Sequence, residues 1–74
     1  MEYLSEKKFL IAFGQNLRRL RKSRGFTQEE LANEINIEIS QISRIERGVI
    51  NTSISNANLI AKALQFPVSE LFQF

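Results

Sequence analysis

The sequence predicts an all-α, compact five-helix domain, and three observations carry that expectation. Apolar residues recur at helical spacing, as in Leu10, Phe13, Leu17 and Leu20. Three such stretches follow a residue that can cap a helix: Ser5, Thr27 and Ser53. The stretches end at Gly25, Asn36, Gly48 and Pro67, residue types that stop or redirect helices.

The first helix is expected from Ser5 to about Ser23. Its inward stripe leaves out Phe9 and Ile11, which are free to pack an N-terminal extension against the domain or a second subunit. Gly14 costs this helix about 1 kcal/mol relative to Ala, so a close approach of another element is expected there. Gly25 ends the helix in the left-handed conformation and Phe26 turns back onto the core.

The second helix opens with a capping box, Thr27 with Glu30, and a hydrophobic staple, Phe26 with Leu31. Leu31, Ala32 and Ile35 form its apolar stripe. Asn36 tolerates the left-handed backbone that a sharp corner needs, and Ile37 plugs the corner. A third helix starts near Ile39, turns Ile42 and Ile45 inward and stops at Gly48. Val49 to Thr52 has no period and reads as a loop. The fourth helix follows Ser53, with Ile54, Ala57, Ile60, Ala61 and Leu64 inward, Asn56 and Asn58 outward, and Leu59 off the inward face. Pro67 suits the start of a fifth, very short helix, Val68 to Phe72.

Composition narrows the functions. Seventy-four residues make one domain, and a chain this short buries only about 60% of its unfolded surface, so a partner chain would help it. There is no cysteine and no histidine. That excludes disulfides, a structural zinc site and histidine-based acid–base or triad chemistry. No cofactor, metal or small-molecule ligand is implied. There is no apolar run of about 18 residues, so no membrane span is expected. Met1 to Leu4 is no signal-peptide start, which points to a cytoplasmic protein. The net charge is only +2, but Arg18, Arg19, Arg21, Lys22 and Arg24 place five cations within seven residues. These cations either complement the helix dipole or face phosphates.

The run TQEELA, a corner, then SQISRIERG resembles the helix-turn-helix of phage Cro and cI-type repressors, the Xre family. The resemblance covers Phe13 to Phe72, with the motif at residues 27–47. Two positions depart from it. The corner usually carries Gly and here is Asn36, and the second helix of the motif usually starts with Ser or Thr and here has Glu38. Small size without an effector domain resembles stand-alone repressors and restriction–modification controller proteins.

The resemblance implies that the third helix enters the major groove of double-stranded DNA, with base contacts at Ile39, Ser40 and Arg44 and with Gln41 and Ser43 nearer the groove edge. The chemistry fits: Arg44 can donate two bonds to guanine, and Ile39 can touch a thymine methyl. Glu38 either accepts from a cytosine amine or caps the helix; capping is the expectation, because a carboxylate beside phosphates is costly. Gln28, Arg47, Asn51, Thr52 and, less firmly, Arg18 fall at phosphate-contact positions. Arg21 and Glu46 align with a buried ion pair that fixes the angle of the reading helix.

The function expected is a sequence-specific transcriptional regulator, a homodimer on an inverted repeat, with no enzyme activity. An antitoxin or a protein-interaction module on the same fold is the alternative. A dimerisation region at residues 54–74 is expected, through Leu59, Phe66, Phe72 and Phe74, with Leu71 left to the core. The competing arrangement folds the aromatic tail back over the first helix, against Phe9.

Overall fold

A computed structural model describes residues 5–74; the signal-peptide reading of Met1 to Leu4 lies outside the described residues. The chain forms α1 (Glu6–Ser23), α2 (Gln28–Ile35), α3 (Ile39–Glu46) and α4 (Ile54–Leu64), and closes with a 3-10 helix, Val68–Phe72. There is no strand among the described residues. The fifth element is therefore not an α-helix. Its turns are closed by i to i+3 bonds, Glu70 N–H to Pro67 O at 2.9 Å and Gln73 N–H to Glu70 O at 3.3 Å. Five residues after a proline are too few for a stable α-helix, and short pieces favour the tighter winding.

Local chemistry sets the helix starts. Ser5 Oγ accepts from Lys8 N, Thr27 Oγ1 from Glu30 N, and Ser53 Oγ from Asn56 N. The Glu30 carboxylate returns a bond to Thr27 N–H at 2.9 Å, completing the box. The ends obey one rule as well. Gly25, Asn36, Gly48 and Gln65 all adopt positive φ, between 60° and 75°. Each donates its N–H three residues back, and the next residue reaches five back, as Val49 does to Arg44 O. This paired closure satisfies carbonyls that the helix leaves open. Gln65 is a stop that its residue type does not announce, since a left-handed Gln carries a steric cost of about 1–2 kcal/mol. Arg24 offsets it: Nε donates to Leu64 O (2.9 Å), Nη2 to Gln65 O (3.2 Å), and the guanidinium lies 4.1 Å from the Phe66 ring centroid.

The core joins Phe13, Leu17 and Leu20 of α1 to Leu31, Ala32 and Ile35 of α2. Ile42 and Ile45 of α3, Ala57, Ile60, Ala61 and Leu64 of α4, and Leu71 complete it. Leu71 is fully buried. Ile54 departs from the expectation: it is 89% exposed. It is the first residue of α4, one turn before Ala57 first meets the core, and it stands at the edge of a cleft instead.

Two glycines set how closely α1 meets α3. A Cβ on Gly14 would collide with Ile45 O and lie 2.5 Å from Glu46 O. A Cβ on Gly48 would lie 2.6 Å from the Ile11 backbone. The last turn of α3 thus rests directly on the backbone of α1.

Candidate nucleic-acid interface

α3 buries Ile42 and Ile45 and exposes the other side. Glu38, Ile39, Ser40, Gln41 and Arg44 are exposed, and Ser43 is half-buried at the edge. Ile39 is 45% exposed, an apolar side chain in solvent with no core role. The structure thus brings the five expected base-contact residues onto one helix, with four of them open.

Glu46 anchors this helix. Arg21 Nε donates to Glu46 Oε2 at 2.6 Å and Arg21 Nη2 to Oε1 at 3.0 Å. Gln28 Nε2 donates to the same Oε1 at 3.0 Å, and Arg21 Nη1 donates to Phe26 O at 2.7 Å. Both charged residues are buried. One carboxylate therefore ties α3 to α1 and to the first turn of α2. A buried charge is tolerated only when its bonds are satisfied this fully. Gln28 keeps one amide hydrogen uncommitted, since its NH2 has two.

The remaining expected phosphate contacts differ in their settings. Arg47 is exposed, and its Nε makes one long bond, 3.4 Å, to Ser43 O. Asn51 donates to Glu6 Oε1 at 3.2 Å. Thr52 Oγ1 is buried without a hydrogen-bond partner. Arg18 and Lys22 are exposed, and no bond or ion pair holds them among the described residues. The other three cations of the run are engaged, with Arg19 donating to Asn16 Oδ1 at 2.7 Å and Arg21 and Arg24 as described. The cationic cluster is therefore two free cations and three structural ones. Glu38 also departs from expectation: it holds the N-cap position but makes no side-chain capping bond. A carboxylate arm one methylene longer than Asp overshoots the amides that Ser, Thr or Asp reach.

Residues 17–71 match the helix-turn-helix family HTH_3. The chain belongs to that family. Among HTH_3 relatives, the control protein C.BamHI of Bacillus amyloliquefaciens is 40% identical over 65 residues, 86% of this chain and 80% of that protein. The restriction-modification controller protein C.AhdI of Aeromonas hydrophila superposes with a TM-score of 0.83 at 41% identity, over 85% of this chain and 96% of that one. The controller protein C.Esp1396I, solved as a tetramer with its natural 35 base-pair operator, gives 0.77 at 32% identity, over 88% and 86%.

Within this HTH_3 fold the residues expected to dimerise do not share one groove. Leu59, 42% exposed, borders a groove walled by Glu34 and Ile35 of α2 and by Asn36 just after it. Phe66 is half-buried against the core under Arg24. Phe72 and Phe74 are about half exposed, at 48% and 49%. Their rings lie 5.2 Å from Phe13 and 5.4 Å from Phe9, so the tail does lie along α1. Phe9, Ile54 and Phe72 line an apolar cleft of about 130 Å³.

Asn16 was missed. It is buried, and its Nδ2 donates to Glu70 O (2.8 Å) and Leu71 O (2.9 Å), clasping the closing helix to α1. The signal was readable: Phe13, Asn16, Leu17 and Leu20 form one helical stripe, with a polar residue at an inward position. Among the described residues no helix is long and apolar enough to cross a membrane.

Proposed function

We propose that this chain is a sequence-specific regulator of transcription that binds double-stranded DNA as a homodimer on an inverted-repeat operator, in the manner of restriction–modification controller proteins. It works in the cytoplasm, as one domain spanning residues 1–74. The observation that carries this reading is α3 itself: one face buried, the other open and polar except for Ile39, and its last turn locked by Gly14 and the Arg21–Glu46 pair. A helix so exposed and so firmly held fits the major groove, which admits one α-helix.

In this reading Arg44 donates two bonds to guanine O6 and N7, and Ile39 packs on a thymine methyl. Ser40, Gln41 and Ser43 meet neighbouring edges. Gln28, Arg47, Asn51 and Arg18 bind phosphate through their side chains, and Thr52 through its backbone amide because its hydroxyl is buried; together they set the register without reading sequence. Two copies related by a two-fold axis place their α3 helices in successive major grooves, about 34 Å apart. Leu59, Phe66, Phe72 and Phe74 supply the dimer contact, with Phe66 the smallest contributor because Arg24 covers it. The exposed Leu59 on α4 and, on a separate surface, the half-exposed Phe72 and Phe74 rings support this, since exposed apolar surface of this kind marks interfaces.

The test is selection of bound duplexes from a random pool, with sedimentation of free and bound protein at micromolar concentration. A palindromic consensus bound by two chains is expected. No enrichment of any sequence at low salt, or a monomer bound to a palindrome, would overturn the reading.

A further inference from the structure

The reading end of α3 carries a carboxylate with no partner inside the molecule. Glu38 has the extended backbone of a cap residue, φ −71° and ψ 141°, yet its side chain caps nothing. It is exposed and borders an open cleft lined also by Glu29, Asn33, Asn36 and Gln41, with no lysine or arginine in its walls. The one ion pair among the described residues is Arg21–Glu46. No cationic side chain therefore pairs with this charge, and only the partial positive charge at the start of α3 faces it.

Against DNA such a carboxylate is repelled by every nearby phosphate. A serine at the same position would both cap the helix and avoid that repulsion. What offsets the cost is a donor in the groove. The residues at the N-terminal end of a reading helix are those that reach base edges. Cytosine presents its N4 amine as a donor there. Adenine also presents an amine, but it sets the N7 acceptor beside it, and that lone pair repels a carboxylate.

We propose that Glu38 is a specificity-determining residue that accepts a hydrogen bond from a cytosine amine and so fixes one C·G pair where α3 enters the groove. The inference rests on α3 being the DNA-reading helix. Its test is duplex selection with wild type, Glu38→Gln and Glu38→Ser. Wild type should require cytosine at one position of each half-site. Glu38→Gln should change that position to adenine, because an amide pairs with N6 and N7 together. Glu38→Ser should lose the cytosine preference by about tenfold, while binding other sequences at least as tightly. The same consensus from all three proteins would overturn the proposal and leave Glu38 a helix-dipole residue. A wild type that selects no sequence at all would instead overturn the reading role of α3, and this inference with it.

Discussion

The guanidinium of Arg21 meets the carboxylate of Glu46 side-on, through two hydrogen bonds of 2.6 and 3.0 Å. This geometry fixes α3 against α1 more specifically than apolar packing does, because both bonds must be made at once. Glu46→Gln keeps the shape and removes the charge, stranding a buried cation. The expected loss is at least about 1 kcal/mol. At about 4–8 °C per kcal/mol for a domain this small, the melting temperature should fall by several degrees. The fall should persist at high salt, since buried pairs are little screened. An unchanged melting point would mean that the pair contributes nothing to the fold.

Gly14→Ala sets two effects against each other. Helix propensity favours Ala by about 1 kcal/mol. The new methyl group would press on the carbonyl groups of Ile45 and Glu46, which are backbone and cannot rotate away. Overpacking of this kind costs about 1–3 kcal/mol. Net destabilisation and weaker operator binding are expected, read by melting and by titration. A stabilised variant with wild-type affinity would show that α3 has room to shift.

Arg44 and Arg47 lie three residues apart and should behave differently. Arg44→Ala should cost about 1–3 kcal/mol at the preferred site and relax one base position. Arg47→Ala should weaken all sequences alike and reduce the salt slope by about one. Binding curves at several salt concentrations, on operator and random duplex, separate the two.

Asn16→Ala should release the closing helix. The buried carbonyl of Leu71 and the partly buried one of Glu70 would lose their donor, at about 1–3 kcal/mol each at most. Faster hydrogen exchange confined to residues after Pro67 is the expected signature. Uniform exchange across the chain would point to a global effect instead.

Leu59→Glu places a charge on the exposed side of α4 while leaving the core untouched. The expected outcome is a folded monomer that binds its operator much more weakly. Phe72→Glu serves as the comparison, since Phe72 borders a different groove from Leu59. Whichever substitution shifts the sedimentation coefficient locates the contact.

Much of this molecule is written in short-range terms. The Thr27–Glu30 box, the caps at Ser5 and Ser53, and the stops at Gly25, Asn36 and Gly48 each depend on residues within one turn. The stripes of α1 to α4 follow from a period of 3.6. Such features need no partner element, so the linear order of residues determines them. Contacts that cross the chain behave otherwise. Asn16 reaches 55 residues ahead to Leu71, and Arg24 reaches 40 ahead to Leu64; neither residue's type announces its target. Ile54 obeys the helical period and still faces solvent, because periodicity gives a direction and not the presence of a neighbour. Glu38 stands at a cap position without capping, because its longer arm carries the carboxylate past the amides of its own first turn. The reading face of α3 lies between the two cases. Its residues were visible along the chain, but their rigidity comes from the carboxylate of Glu46, the close approach at Gly14 and the meeting of three helices around them.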